Sequence, residues 1–145
     1  MRALRADELE VGRTFELVVV RDLRRSQLVQ YAGASGDFHP FHSDEPFALA
    51  AGSPRGVFAH GMWTMGATAR VLTDAVGDGR LTSYEARFVG QVWPGDTLDA
   101  RARVESLRRV GDLWWADFSV ETRNQDGEVV LVGRATARLD PPAAV

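Results

Sequence analysis

The stretch from His60 to about Val76 interleaves the small residues Gly61, Gly66, Ala67 and Ala69 with the larger Met62, Trp63, Met65, Val71 and Leu72. Small residues between large apolar ones let neighbours approach closely, so this composition predicts a helix buried on most sides. Gly77-Asp78-Gly79 ends it. A helix of this kind has to be covered, and in a chain of 145 residues with 45% hydrophobic content one core is all that can be built. We therefore expect a single domain over residues 1–145.

Strand patterns supply the cover. One precedes the helix, Thr14 to Val20, and four follow: about Leu81 to Val92, Thr97 to Leu107, Leu113 to Thr122 and Val129 to Leu139. Turn sequences at Pro94-Gly95-Asp96, 109–112 and Gln125-Asp126-Gly127 separate them, which predicts antiparallel pairing of each consecutive pair. A helical pattern also runs from Arg25 to Tyr31, and Ser43 or Asp44 can cap a short helix through Ala51. The order predicts an α+β fold in which a curved antiparallel sheet wraps a long central helix, and the hot-dog arrangement fits it. Such a sheet leaves edges to be covered, so at least a dimer is expected.

Charge and composition exclude several classes of function. The net charge of −3 comes from a near balance of acids and bases, with no basic block to hold nucleic acid. No apolar run approaches the length of a membrane span, and a soluble, cytoplasmic protein is expected. With no cysteine, thiolate nucleophiles and thiolate metal sites are absent, so chemistry falls to histidine, carboxylate, hydroxyl or backbone groups, with no cofactor called for.

All three histidines lie in one third of the chain. Asp37, His39 and His42 fall within six residues, and His60 opens the central helix beside Gly61. Pro40 lacks an amide hydrogen and restricts His39 to extended geometry, so 37–42 is a stiffened loop. A carboxylate and an imidazole in such a loop can grip one water and move its protons. The free amides at the helix start suit an oxygen that gains negative charge, and Gly61 without a Cβ allows close approach.

These residues resemble the MaoC-like hydratase/dehydratase family. The segment from Tyr31 through Gly36-Asp37-Phe38-His39-Pro40-Phe41-His42-Ser43-Asp44, followed by Ala59-His60-Gly61-Met62, is similar to that family's Gly-Asp-x-Asn-Pro-x-His-x-Asp and later His-Gly-Met. The likeness is close over Arg25 to Gly66 and looser through Phe88 and Pro94-Gly95-Asp96. It implies a hot-dog fold, Asp37 and His42 as the catalytic pair, and Gly61 as amide donor to a thioester carbonyl. His39, Phe41, His60 and Met62 would then line the substrate. It also implies a substrate carried by coenzyme A or acyl carrier protein, reversible hydration of a 2-enoyl group to the (3R)-hydroxyacyl form, and a second hot-dog subunit, identical or related, as in fatty acid synthase II dehydratases. His39 stands where the family has asparagine, and a bulkier, ionisable ring there bears on substrate fit and pH range. Phe41 stands where a smaller aliphatic residue is common.

Other readings stay open on the residues alone. Asp37 can simply cap a turn, and His42 can be a hydrogen-bonded structural histidine. His60 reads chiefly as a helix-start or cavity-lining residue. Asp37, His39 and His42 are a weak zinc match without a helical His pair or a fourth ligand. Trp63, Met62 and Met65 suit core or an acyl channel, and Trp114 and Trp115 should point to opposite faces of a strand. A hot-dog thioesterase and a non-catalytic acyl-binding subunit are the competing functions.

Overall fold

The structure, a computed structural model, describes residues 4–143. Strand β1 (Thr14–Val20) is followed by helices α1 (Arg25–Ser35), α2 (Glu45–Ala50) and α3 (Gly61–Val76), then by strands β2 (Leu81–Phe88), β3 (Leu98–Val110), β4 (Leu113–Asn124) and β5 (Val129–Leu139). The five strands form one antiparallel sheet in the order β1-β3-β4-β5-β2. It curls around α3, as a hot-dog fold requires.

Small residues on the concave face explain how close the helix sits. Ala100, Ala102, Ala116, Ala135 and Ala137 are buried there among Val104, Phe118, Val120 and Leu131. The alanines leave room for Val71, Leu72 and Val76 of α3, each fully buried. Register shifts at 104/106 in β3 and at 129/131 in β5, opposite Thr122 and Arg123, are irregularities of the kind that bend strands. Two polar contacts among the described residues cross this interface, Thr68 Oγ1 to Thr122 Oγ1 at 2.7 Å and Arg70 Nη1 to the Val19 carbonyl at 3.3 Å. Beside the threonine pair Tyr84 buries a phenol with no satisfactory hydrogen bond, and burial pushes its pKa up to about 12. The outer face instead carries ion pairs such as Arg101–Glu16 and Arg108–Asp117. Hydrogen bonds from Ser106, Arg108 and Thr136 hold the Asp117 carboxyl down at about 2.

Three expectations need correction. Strand β2 ends at Phe88 and not near Val92, and it pairs with β5 and not with β3. The Pro94-Gly95-Asp96 turn therefore belongs to a crossover that carries the chain from one side of the sheet to the other. Turn residues signalled a reversal, but periodicity could not say which strand lies next door. Helix α3 is also less enclosed than its composition implied. Met62, Gly66, Arg70 and Asp74 recur every four residues as an exposed stripe, because the single sheet covers only the opposite side. Helix α1 carries the Arg25 to Tyr31 pattern on to Ser35 and is capped by Gly36 with φ of 77°. The two adjacent tryptophans part as expected: Trp114 packs against the core, and Trp115 lies under Arg108 at 5.5 Å.

Gly133 sits where β5 meets the edge strand β2, opposite Ala86. A Cβ there would collide with the Glu85 carbonyl oxygen, a backbone atom that cannot swing away. Gly133→Ala should therefore push β2 outward and cost roughly 1–3 kcal/mol, as overpacking does. Denaturant titration measures this, and a variant as stable as the parent would show that β2 shifts freely.

Candidate functional site

The loop between α1 and α2 is built by its own side chains. Ser35 Oγ donates to the Tyr31 carbonyl at 2.7 Å and accepts the Asp37 amide at 3.2 Å. The Asp37 carboxylate accepts the His39 amide at 3.2 Å, and His39 Nδ1 accepts the Phe41 amide at 3.3 Å. Pro40 then starts a single 3₁₀ turn, Pro40–His42. Asp44, of the two candidates, caps α2 through the Phe47 amide at 3.0 Å. Glu45 fastens the next loop by accepting the Val57 amide and pairing with Arg25 at 2.9 Å. Its carboxyl is lowered, chiefly by that arginine.

Three of the groups singled out by sequence converge. Ligating atoms of Asp37, His42 and His60 all lie within 4.8 Å of one another. The two imidazoles stack with centroids 3.7 Å apart and planes 26° from parallel. His42 Nδ1 is 2.7 Å from the Phe58 carbonyl, which can only accept, so Nδ1 carries the hydrogen and a neutral His42 presents a bare Nε2. His60 uses the opposite tautomer, its Nε2 donating to the Asp37 backbone carbonyl at 3.0 Å. Burial is the first cause that lowers the His42 pKa. The Phe58 hydrogen bond and the Asp37 charge oppose it, while His60 and His39 add to it.

The remaining predicted residues surround this cluster. Gly61 is the first residue of α3, so its amide is among those the helix cannot satisfy internally. The Phe88 ring lies over it, 2.9 Å from where a Cβ would stand. Both line a cavity of about 220 Å³ with Phe58, Thr64 and Val130. Met62 is 58% exposed on the adjoining helix face. His39 is exposed and stacks on Phe41, which in turn contacts Phe47 and Phe58. His60 is buried, so it backs the site and does not face solvent. Phe58 escaped the sequence reading, because a backbone carbonyl has no sequence signature, and Phe88 entered it only through the looser family likeness and not as a site residue.

Metal binding does not fit this geometry. His39 lies outside the convergent group, and two imidazole nitrogens already serve carbonyl oxygens. The bare nitrogens sit on rings stacked face to face, so each lone pair points within its own plane. One ion at the ~2.0–2.1 Å of a zinc–nitrogen bond cannot meet both in plane.

Residues 7–123 match the family described as MaoC like domain. The chain belongs to the MaoC-like family. Among curated MaoC-like relatives, the enoyl-CoA hydratase ChsH3 of Mycobacterium tuberculosis is 40% identical over 101 residues, 68% of this chain and 32% of its own length. The 3-hydroxyacyl-thioester dehydratase Y of the same organism is 44% identical over 98 residues, 64% of this chain and 31% of its own. The chain thus spans about a third of the length of these two relatives. The unliganded R-hydratase PhaJ1 structure from Pseudomonas aeruginosa superposes with a TM-score of 0.79 at 25% identity, covering 99% of this chain and 97% of that one. The (R)-hydratase of A. caviae does so with 0.79 at 26%, covering 92% and 98%.

In this MaoC-like site the lowered His42 pKa is directly measurable. Following the imidazole resonances with pH should place the His42 midpoint below the ordinary value of about 6.5. His39→Asn should move it upward, because a neighbouring cation no longer opposes the second charge. A midpoint at or above the ordinary value would show that burial does not govern this ring.

Proposed function

We propose that this chain reversibly hydrates 2-enoyl thioesters to (3R)-hydroxyacyl thioesters, the acyl group being carried by coenzyme A or acyl carrier protein. The observation that carries this reading is the convergence of the Asp37 carboxylate with the bare Nε2 of His42, next to the helix that begins at Gly61. The names of its relatives, enoyl-CoA hydratase and 3-hydroxyacyl-thioester dehydratase, agree with it.

The chemistry follows from the geometry. A water held between Asp37 and His42 gives a proton to the pair as its oxygen bonds to C3. Electron density moves to the thioester oxygen, where the Gly61 amide and the helix start stabilise it. A proton returned to C2 restores the carbonyl and leaves the pair as it began. His42 is fit to accept because its lowered pKa keeps it neutral at pH 7 and its Nδ1 hydrogen is already engaged. The apolar cavity beside Gly61, lined by Phe58, Phe88 and Val130, suits the acyl chain. Met62 and Phe41 stand at its approaches, and His39 takes the place of the usual asparagine.

A second hot-dog subunit completes this reading. Strand β2 pairs with β5 on one side only, and Phe88, Val89 and Met62 stay exposed nearby. An edge strand next to an apolar patch favours pairing with another chain. The M. tuberculosis ChsH1-ChsH2 complex shares the fold, with a TM-score of 0.76 at 23% identity. No helix among the described residues is long and apolar enough to cross a membrane, and a cytoplasmic location fits the proposed substrate.

Asp37→Asn and His42→Ala should each slow hydration of a 2-enoyl-CoA by ~10²–10⁴-fold, the usual worth of a positioned acid or base. Asp37 is exposed and His42 only half-buried, so both variants should fold. Loss of the conjugated thioester absorbance measures the rate, and chiral analysis of the product its stereochemistry. Turnover near that of the parent in either variant, or release of free thiol in place of hydration, would overturn the assignment. For assembly, sedimentation and activity should fall together on dilution, and full activity from a monomer would remove the need for a second subunit.

A further inference from the structure

The proposed chemistry leaves one buried imidazole without a task. His60 is 1% exposed, so a substrate cannot touch it. Its ring lies against Tyr31, 4.9 Å away by centroid, and against His42 at 3.7 Å. Its Nε2 donates to the Asp37 backbone carbonyl at 3.0 Å. Its Nδ1 is buried with no hydrogen-bond partner among the described residues.

For the fold alone this is a poor choice of residue. Phenylalanine or leucine would fill the same space without burying an unsatisfied nitrogen, which disfavours the folded state. What neither can do is donate to the Asp37 carbonyl while presenting a flat face to His42. His60 is also the residue immediately before α3, so whatever it holds is held relative to the Gly61 amide.

We infer that His60 is a positioning residue that fixes the backbone of Asp37 and the ring of His42 relative to the first amide of α3. It rests on the hydratase reading above and deepens it. One ring then sets all three distances that the reaction needs. Asp37 lies in an exposed loop, where its own short contacts to Ser35 and His39 shape the turn but do not tie it to the helix. The bond from His60 spans 23 residues and supplies that tie. Reacting groups displaced by about 1 Å lose on the order of 10²-fold in rate, so the effect should fall on the chemical step.

Two variants separate positioning from packing. His60→Phe keeps an aromatic face for His42 and removes the donor, whereas His60→Gln gives up the ring and keeps an N–H. With a 2-enoyl-CoA as probe, His60→Phe should lower kcat by ~100-fold with KM within about threefold. His60→Gln should recover at least ~10-fold of that loss, compared per folded molecule from thermal melts. Parent-like kcat in His60→Phe overturns the inference, as does an equal loss in both variants, including a shared failure to fold. A parent chain that performs no hydration would sink the hydratase reading instead. In that case the Phe38 amide resonance still decides, since it belongs to the peptide unit of the bonded Asp37 carbonyl, and positioning requires it to move in His60→Phe and to return towards the parent's in His60→Gln.

Discussion

Everything in this protein hangs from the close seating of α3 on a sheet paved with alanine. A larger side chain at Ala100, Ala102, Ala116, Ala135 or Ala137 would lift the helix, and the helix start is what carries His60 and Gly61. The loop 37–42 has few anchors of its own in the core, since 37–39 are exposed. It is held through His60 to the Asp37 carbonyl and through His42 to the Phe58 carbonyl. The Phe58 amide adds a third tie, to the Phe41 carbonyl of the loop at 3.2 Å, and Ala59 next to it is fixed by a 2.8 Å bond to the Val92 carbonyl. Core packing thus sets the geometry of a surface loop by way of two imidazole rings and one backbone bond.

The same two contacts settle which tautomer each imidazole holds. A carbonyl oxygen accepts and never donates, so each neutral histidine has only one tautomer open to it. His42 must present Nε2 and His60 must present Nε2–H, without any charged residue to orient them. Orientation by carbonyls adds no charge of its own beside His42, so burial can prevail and lower the pKa of that ring. A carboxylate in place of the Phe58 carbonyl would have raised that pKa and left the ring protonated over more of the physiological range.

Much of this was legible in the sequence, and the gaps have definite physical causes. Strand β1, the helix from Gly61, the hairpins of β3 to β5 and the hot-dog outline follow from local periodicity and turn residues, which act over a few positions. The partner of β2 does not, because the hydrogen bonds that place it beside β5 lie about fifty residues away along the chain. The convergence of Asp37 with His42 was readable from the motif. The tautomers were not, because they depend on backbone carbonyls that any residue would supply. His60 looked like a helix-start residue, and it is one. Its grip on Asp37 appears only when the chain has folded back across 23 positions.

His39 shows how such a design tolerates change. The amide of residue 39, and not its side chain, bonds to the Asp37 carboxylate, so asparagine and histidine can both serve that contact. The imidazole turns instead towards Phe41, Phe47 and His42, joining an aromatic cluster beside Asp37. Replacing a compact amide with a ring therefore reshapes the rim of the site and adds an ionisable neighbour to His42, while Asp37 and His42 stay fixed by contacts that the side chain of residue 39 does not make. The bonds that orient Asp37 and His42 run to backbone carbonyls, so side chains at the rim can vary without disturbing them.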